Sequence, residues 1–191
     1  MSAETLIQFI QSRNAHAKLI APAPNAHELQ QVFSAAYRAP DHAKLTPARF
    51  RVIEGEGLHA LGALFVEVNQ IASNHPLSES EKQSILKKPL RAPMIIVASC
   101  EVQAHEKVPE IEQMLSAGCS VQNLLLSIEA LGYGAIWRTG NIAFDPKVHA
   151  GLGFSENEKM LGFIYIGTKE GKAKTIKPVD YSGLVSRWPA E

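Results

Sequence analysis

The stretch from Ala117 to Leu131 restricts this chain more than any other. Ala117, Cys119, Val121, Leu124, Leu125, Leu126, Ile128, Ala130 and Leu131 set apolar side chains nearly all the way round a helix. A helix without a polar face has no side to give to water and must be enclosed by protein. A bilayer is not the expected enclosure, because Gln122, Asn123 and Glu129 interrupt a run already too short to span one. The helix is therefore expected at the centre of a core or between subunits. Around it, Ser116-Ala117-Gly118-Cys119-Ser120 would let a second backbone approach closely. Gly132 supplies a left-handed helix stop. Ala135-Ile136-Trp137 then reads as a short strand and Arg138-Thr139-Gly140 as a polar turn at its end, a common place for a cofactor.

The rest of the chain reads as alternating helices and a few strands. Thr5 to Ser12 is a short amphipathic helix that runs into the polar segment Arg13 to Lys18, and Ala21-Pro22-Ala23-Pro24 breaks any continuation. Asn25 opens a second helix, with Glu28 placed for a capping box, and Pro40 ends it. Asp41 to Pro47 is a loop, Phe50 to Ile53 a strand, and Leu58 to Ala72 a third helix. Ser73 to Pro93 is a polar insert whose helix starts at Ser78 and stops near Lys87; it is either a mobile flap or a solvated surface helix. Met94 to Ala98 and Met160 to Ile166 are continuous apolar runs and predict buried strands. Asp145-Pro146 opens a short helix closed by Gly151 or Gly153. The last stretch, about 168–191, ends in Tyr181, Leu184, Val185 and Trp188 and is expected to lie as an arm on another surface. Helices plus about four strands give an α+β sandwich, a small sheet covered by helices. At 191 residues, 1–191 is one domain with extensions.

Composition excludes several functions. Nineteen basic and nineteen acidic residues cancel, so neither a nucleic-acid stripe nor a lipid-binding cluster is present. No hydrophobic leader opens the sequence, and a cytoplasmic location is expected. Cys100 and Cys119 lie in apolar runs without metal spacing and read as two buried thiols. The histidines form no H-x-x-x-H or H-E-x-x-H pattern, so no metal site is expected. A nucleophile elbow and a Walker loop are missing, and Gly132 and Gly134 follow a helix where a dinucleotide fingerprint would need them after a strand. What remains is Arg13 and Lys18 after the first helix, Arg38 and His42 around Pro40, and Arg138 and Thr139 at a strand end. Arginine keeps its charge and offers a planar fork of donors. The set points to an anionic, planar ligand held by three segments.

These pieces lie in an order that resembles the nitroreductase family of flavoenzymes, and within it a group of small bacterial members. The segments are Arg38-Ala39-Pro40-Asp41-His42, Val52-Ile53-Glu54-Gly55-Glu56-Gly57, Arg91-Ala92-Pro93, Ser116-Ala117-Gly118-Cys119, Gly134-Ala135-Ile136-Trp137-Arg138-Thr139-Gly140 and Gly162-Phe163-Ile164-Tyr165-Ile166-Gly167-Thr168. The resemblance covers nearly the whole chain. It implies a nitroreductase-like α+β fold, an intertwined homodimer and FMN bound where the subunits meet. Carried over by position, Arg13, Asn14 and Ala15 match the flavin segment near the N-terminus, with Arg13 at the phosphate or ribityl end. Arg38 and His42 match flavin contacts from the other subunit, and Trp137, Arg138 and Thr139 match the strand-end contacts. Ser127, Ile128, Glu129, Ala130, Leu131 and Gly132 correspond to a segment linked to the nicotinamide nucleotide. Two departures stand out. Ala15 replaces a usual serine, and Leu45-Thr46-Pro47-Ala48 replaces a stretch that commonly reads Q-P-W.

The resemblance further implies an NAD(P)H oxidoreductase of ping-pong type. NADH or NADPH would give hydride to flavin N5, and a nitroaromatic or quinone-like acceptor would then take the electrons. No side chain need act as a nucleophile, so no catalytic residue is named. Two alternatives remain at this level: a flavin reaction of another kind on the same scaffold, such as dehalogenation or flavin cleavage, and a flavin-binding dimer with no catalysis.

Overall fold

The apolar run that begins at Met94 forms the middle of the molecule. In the computed structural model, which describes residues 2–172 and 174–188, β3 (Met94–Glu101) pairs antiparallel with β2 (Ala48–Glu54) on one side and β5 (Glu158–Lys169) on the other. β5 also pairs antiparallel with β4 (Gly134–Arg138) and, at Thr168 and Lys169, with the two-residue β1 (Leu19–Ile20). The sheet has five strands in the order β1-β5-β3-β2, with β4 also on β5. The four strands expected from the sequence all form; β1 went unseen because two residues carry no periodicity.

Helices cover both faces. Met94, Ile96, Ala98, Ile164 and Ile166 pack with Val32 and Ala36 of α2 (Ala26–Ala36) and with Val121, Leu124 and Ile128 of α5 (Glu110–Ala130). Ile95, Val97, Phe163 and Tyr165 point the other way. They pack with Leu61 and Phe65 of α3 (Glu56–Ala72), Ile85 of α4 (Glu79–Leu86) and Val148 of α6 (Pro146–Gly151). A strand buried on both faces has no solvent side, which is why β3 and the middle of β5 read as unbroken apolar runs. The short α1 (Ala3–Ser12) has no buried residue. Both expected capping boxes form, Asn25 with Glu28 and Ser78 with Glu81, and Gly132 stops α5 at φ +86°. Among the described residues, no helix is long and apolar enough to cross a membrane.

Two expectations change. First, α5 is not enclosed all round: it lies on one face of the sheet. Its buried side is Gln113, Ser116, Ala117, Ser120, Val121, Leu124, Leu125 and Ile128, at helical spacing. The opposite side leaves Ile111, Leu115 and Cys119 in solvent on a single chain. Second, only one of the two thiols is buried. Burial, helped by Glu110 and opposed by Lys159 and Arg49, pushes the Cys100 thiol up to about 11, while Cys119 is exposed. The polar insert carries α4, whose Ile85 enters the core while Gly62 of α3 lies directly beneath the Leu86 carbonyl. After β5 the described residues form no regular element, and Tyr181, Leu184, Val185 and Trp188 are exposed; residues 173 and 189–191 of the expected arm lie outside the described residues.

One charged cluster ties the sheet to the loop before β5. Arg51 on β2 donates from both guanidinium ends to the Glu158 carboxylate, and the Ser99 hydroxyl donates to the same group. Arg51 also donates to the Gly153 carbonyl at 3.2 Å and stacks 4.3 Å over the Phe154 ring. Burial raises the Glu158 carboxyl, but hydrogen bonds from Arg51, Ser99 and the Ser155 N–H, with the Arg51 charge, outweigh it and hold the group below the usual range. Glu158→Gln leaves the guanidinium without its counter-charge and is expected to lower stability by about 2 kcal/mol, read as a drop in Tm. A depressed folded pKa stabilises above the unfolded value and stops doing so as pH falls through the folded one. The Tm gap between wild type and Glu158→Gln should therefore close as the pH drops below about 4.

Gly162 on β5 sits where β4 ends. Its φ is +140°, and a Cβ there would lie 2.6 Å from both the Arg138 carbonyl oxygen and the Trp137 indole nitrogen. Gly162→Ala is expected to cost about 2 kcal/mol through overpacking. Chemical shifts in 137–139 should move with it, while those of α4 should not.

Candidate functional site

Strand alternation divides the end of β4 between the two faces of the sheet. Trp137 turns toward the α5 side and donates its indole N–H to the Leu161 carbonyl at 2.9 Å. Arg138 turns to the α3 side, with its guanidinium carbon 5.7 Å from the centre of the Tyr165 ring. Thr139 and Gly140 (φ +103°) then lead the chain into a 3-10 turn, Asn141–Phe144. The Asp145 side chain caps α6 by accepting from the Lys147 N–H at 2.8 Å.

A cleft of about 460 Å³ opens beside Arg138. Its floor is Phe163 and Tyr165 of β5, and one wall is Phe65, Val68, Asn69 and Ala72 of α3. Lys88 and Arg91, flanking the turn Pro89–Arg91, close a second side, and Arg138 through Ile142 with Asp145 form the third. Three cations face one carboxylate, so the cleft favours an anion. Burial pushes the Tyr165 phenol up, and Arg138 and Arg91 pull it partly back. The phenol therefore keeps its proton at neutral pH and can donate a hydrogen bond beside two guanidinium groups.

Of the residues expected to bind a ligand, only Arg138 and Thr139 line this cleft. Arg13, Asn14 and Ala15 run past the other end of β4. The His16 N–H donates to the Ala135 carbonyl at 3.0 Å, and the Asn14 amide donates to the Lys174 carbonyl at 2.9 Å. Ala15 and Lys18 share a second hollow of about 280 Å³ with Lys172 and Lys174. Arg38 follows α2, and His42 stands in the loop leading to β2, the edge of the sheet farthest from β4. One chain therefore does not bring Arg38 and His42 to Arg138. The segment Ser127 to Gly132 is the last turn of α5 on the opposite face from the cleft. Ser127 donates to the Asn123 carbonyl, and Ile128 is fully buried in the α2–α5 core. Glu129 pairs with Lys169, Leu131 caps the helix, and Ala130 and Gly132 are exposed. Ile128 can brace this turn but has no surface to offer a nucleotide.

Lys88, Arg91, Asn69 and Tyr165 line the cleft without having been anticipated. Tyr165 was within reach: on a strand, Phe163 and Tyr165 share a face, and antiparallel pairing of Arg138 with Phe163 brings that face to the arginine. The two cations of the insert carried no such signal, because a turn between a surface helix and a strand has no periodicity. Among the described residues, no three His, Cys, Asp or Glu side chains cluster as metal ligands would.

Residues 11–168 match the model of the nitroreductase family. YdjA of Escherichia coli (strain K12), by name an NAD(P)H nitroreductase, is 37% identical over 169 residues, which is 88% of this chain and 91% of that protein. A Haemophilus influenzae protein with the same kind of name is 36% identical over 175 residues, covering 91% of this chain and 92% of its own. Among solved structures, a nitroreductase-like family protein from Bacillus cereus superposes with a TM-score of 0.83 at 18% identity, covering 100% of this chain and 99% of that one. The FMN-dependent nitroreductase NfnB from Mycobacterium smegmatis, solved with NADPH, superposes with a TM-score of 0.76 at 17% identity, covering 97% and 98%. These last two likenesses concern the fold, which is nitroreductase-like. On the family match and the identity to YdjA over most of both chains, the protein belongs to the nitroreductase family.

Proposed function

We propose that this chain is an FMN-dependent NAD(P)H oxidoreductase that works as a homodimer and reduces nitroaromatic or quinone-like acceptors. The observation that carries the reading is the cleft at the end of β4, where Arg138, Arg91 and Lys88 stand around aromatic side chains. A phosphorylated, planar, electron-rich group needs that combination: fixed positive charge for the phosphate or the ring carbonyls, and flat apolar surface for the ring. The donor set of this chain thus fits FMN. The name of YdjA and the FMN dependence of NfnB support the same cofactor and the nicotinamide reductant.

When bound, FMN supplies hydride transfer from NADH or NADPH to an acceptor in two half-reactions. The chain's own part is positioning and charge. Arg138, with Thr139 beside it, offers donors at the strand end, and Arg91 and Lys88 complete the positive wall. Tyr165 keeps a proton to donate, and Phe65 and Phe163 keep water from the floor. Arg13, with Asn14 and Ala15, approaches from the start of β4 and suits the phosphate or ribityl end. Arg38 and His42 lie too far along the sheet to join within one chain, which favours their arrival from a second copy. The exposed apolar stripe of Ile111 and Leu115 on α5, and the apolar tail, give that copy a surface to cover.

The purified protein is expected to be yellow and to bleach on anaerobic addition of NADPH or NADH, followed by absorbance. Arg138→Ala should weaken FMN binding by about tenfold or more, the equivalent of one charge-assisted hydrogen bond. A colourless chain that takes up no added FMN, or an Arg138→Ala variant with wild-type occupancy and turnover, would sink the assignment.

A further inference from the structure

The loop that carries His42 is held in an unusual way. Ala43, Lys44 and Thr46 all adopt positive φ, at 60°, 56° and 49°, a region that side chains other than glycine enter at a cost. Four contacts keep them there. The Asp41 carboxylate accepts from the Leu45 and Thr46 N–H groups at 3.2 and 2.7 Å. The Arg49 guanidinium donates to the Thr46 carbonyl at 2.6 Å, and the Gln103 amide donates to the Leu45 carbonyl at 2.7 Å. Gln103 is itself clamped, because the buried Gln113 of α5 accepts from its N–H and donates to its carbonyl, both at 2.8 Å. The loop is thus fastened to α5 through Gln103 and Gln113.

At the tip of this bracing, His42 Nδ1 lies 2.7 Å from Glu112 Oε2 in the first turn of α5. A carboxylate only accepts, so Nδ1 carries the proton and donates. The geometry points to Glu112 as a positioning residue: it fixes the tautomer and the ring plane of His42, leaving Nε2 as the ring nitrogen without a hydrogen-bond partner among the described residues. A first-turn carboxylate is also favoured by the helix dipole, so Glu112 keeps its place without His42. This rests on the FMN reading above, in which His42 reaches the cofactor held by a second copy; Nε2 is then the atom that meets it. The paired carboxylate and the braced loop together set a hydrogen-bonding atom before the ligand arrives, and pre-set atoms bind more tightly than free ones.

The test uses the full-length protein with FMN, and reads the FMN dissociation constant by flavin fluorescence together with the 15N shifts of the His42 ring. Glu112→Ala should raise the dissociation constant about tenfold, and the ring should lose its single Nδ1–H tautomer. Glu112→Asp should recover part of both signals. In a His42→Ala background, Glu112→Ala should add nothing further. Unchanged FMN affinity in Glu112→Ala, or losses that multiply in the double variant, would overturn the positioning role while leaving the cofactor reading intact. A wild-type chain that binds no FMN would instead remove the cofactor reading and this role with it.

Discussion

The centre of the sheet, β3 with the middle of β5, is buried on both faces, and that constraint governs where chemistry can occur. Ile95 and Ile96, neighbours on β3, point to opposite sides, and neither has any exposed surface. A polar ligand set in the middle of such a layer would leave charges without water or partners. Function is therefore confined to strand ends and sheet edges, where backbone and side chains meet solvent. The cleft opens where β4 runs out, and the strained loop leads into the outermost strand. Gly162 is the local device that lets β4 close down on β5 and fixes how Arg138 leaves the sheet.

Charge is used sparingly inside this frame and more freely at its rim. The Arg51–Glu158–Ser99 cluster is satisfied at each end and joins an edge strand to the loop before β5. Such a cluster adds less to stability than an apolar packing of equal volume would, but it fixes which loop meets which strand. The cations of the cleft are of another kind. Arg138, Arg91 and Lys88 line the cleft with Asp145, which leaves an excess of positive charge there among the described residues. The contrast between a closed ion pair in the wall and open positive charge in the cleft separates scaffold from site.

Much of the fold was legible because its signals are local. Buried strands showed as apolar runs at Met94 and Met160, helix starts as Asn25–Glu28 and Ser78–Glu81, and the α5 stop as Gly132. What escaped depended on partners distant in sequence. The exposed side of α5 could not be told from its buried side, because Ile111, Leu115 and Cys119 are as apolar as the residues facing the sheet. Arg138 was legible as a strand-end arginine, whereas Lys88 and Arg91 reach the cleft only through the docking of α4 on α3. The family resemblance rested on short segments in a fixed order. It anticipated the α+β fold and implied that Arg38 and His42 belong with the cofactor of the other subunit, and the sheet order sets both far from Arg138 within one chain.

The two cysteines differ in a way that reaches beyond packing. Cys100 sits in the sheet with its thiol pushed up to about 11, so at neutral pH almost none of it is the reactive anion. Cys119 lies in the open on the apolar side of α5, between Leu115 and Gln122. One sulfur is therefore chemically silent while the other is open to solvent on a single chain. A bulky thiol reagent thus reads one side of one helix: its access to the single open sulfhydryl follows whether that side is bare or covered.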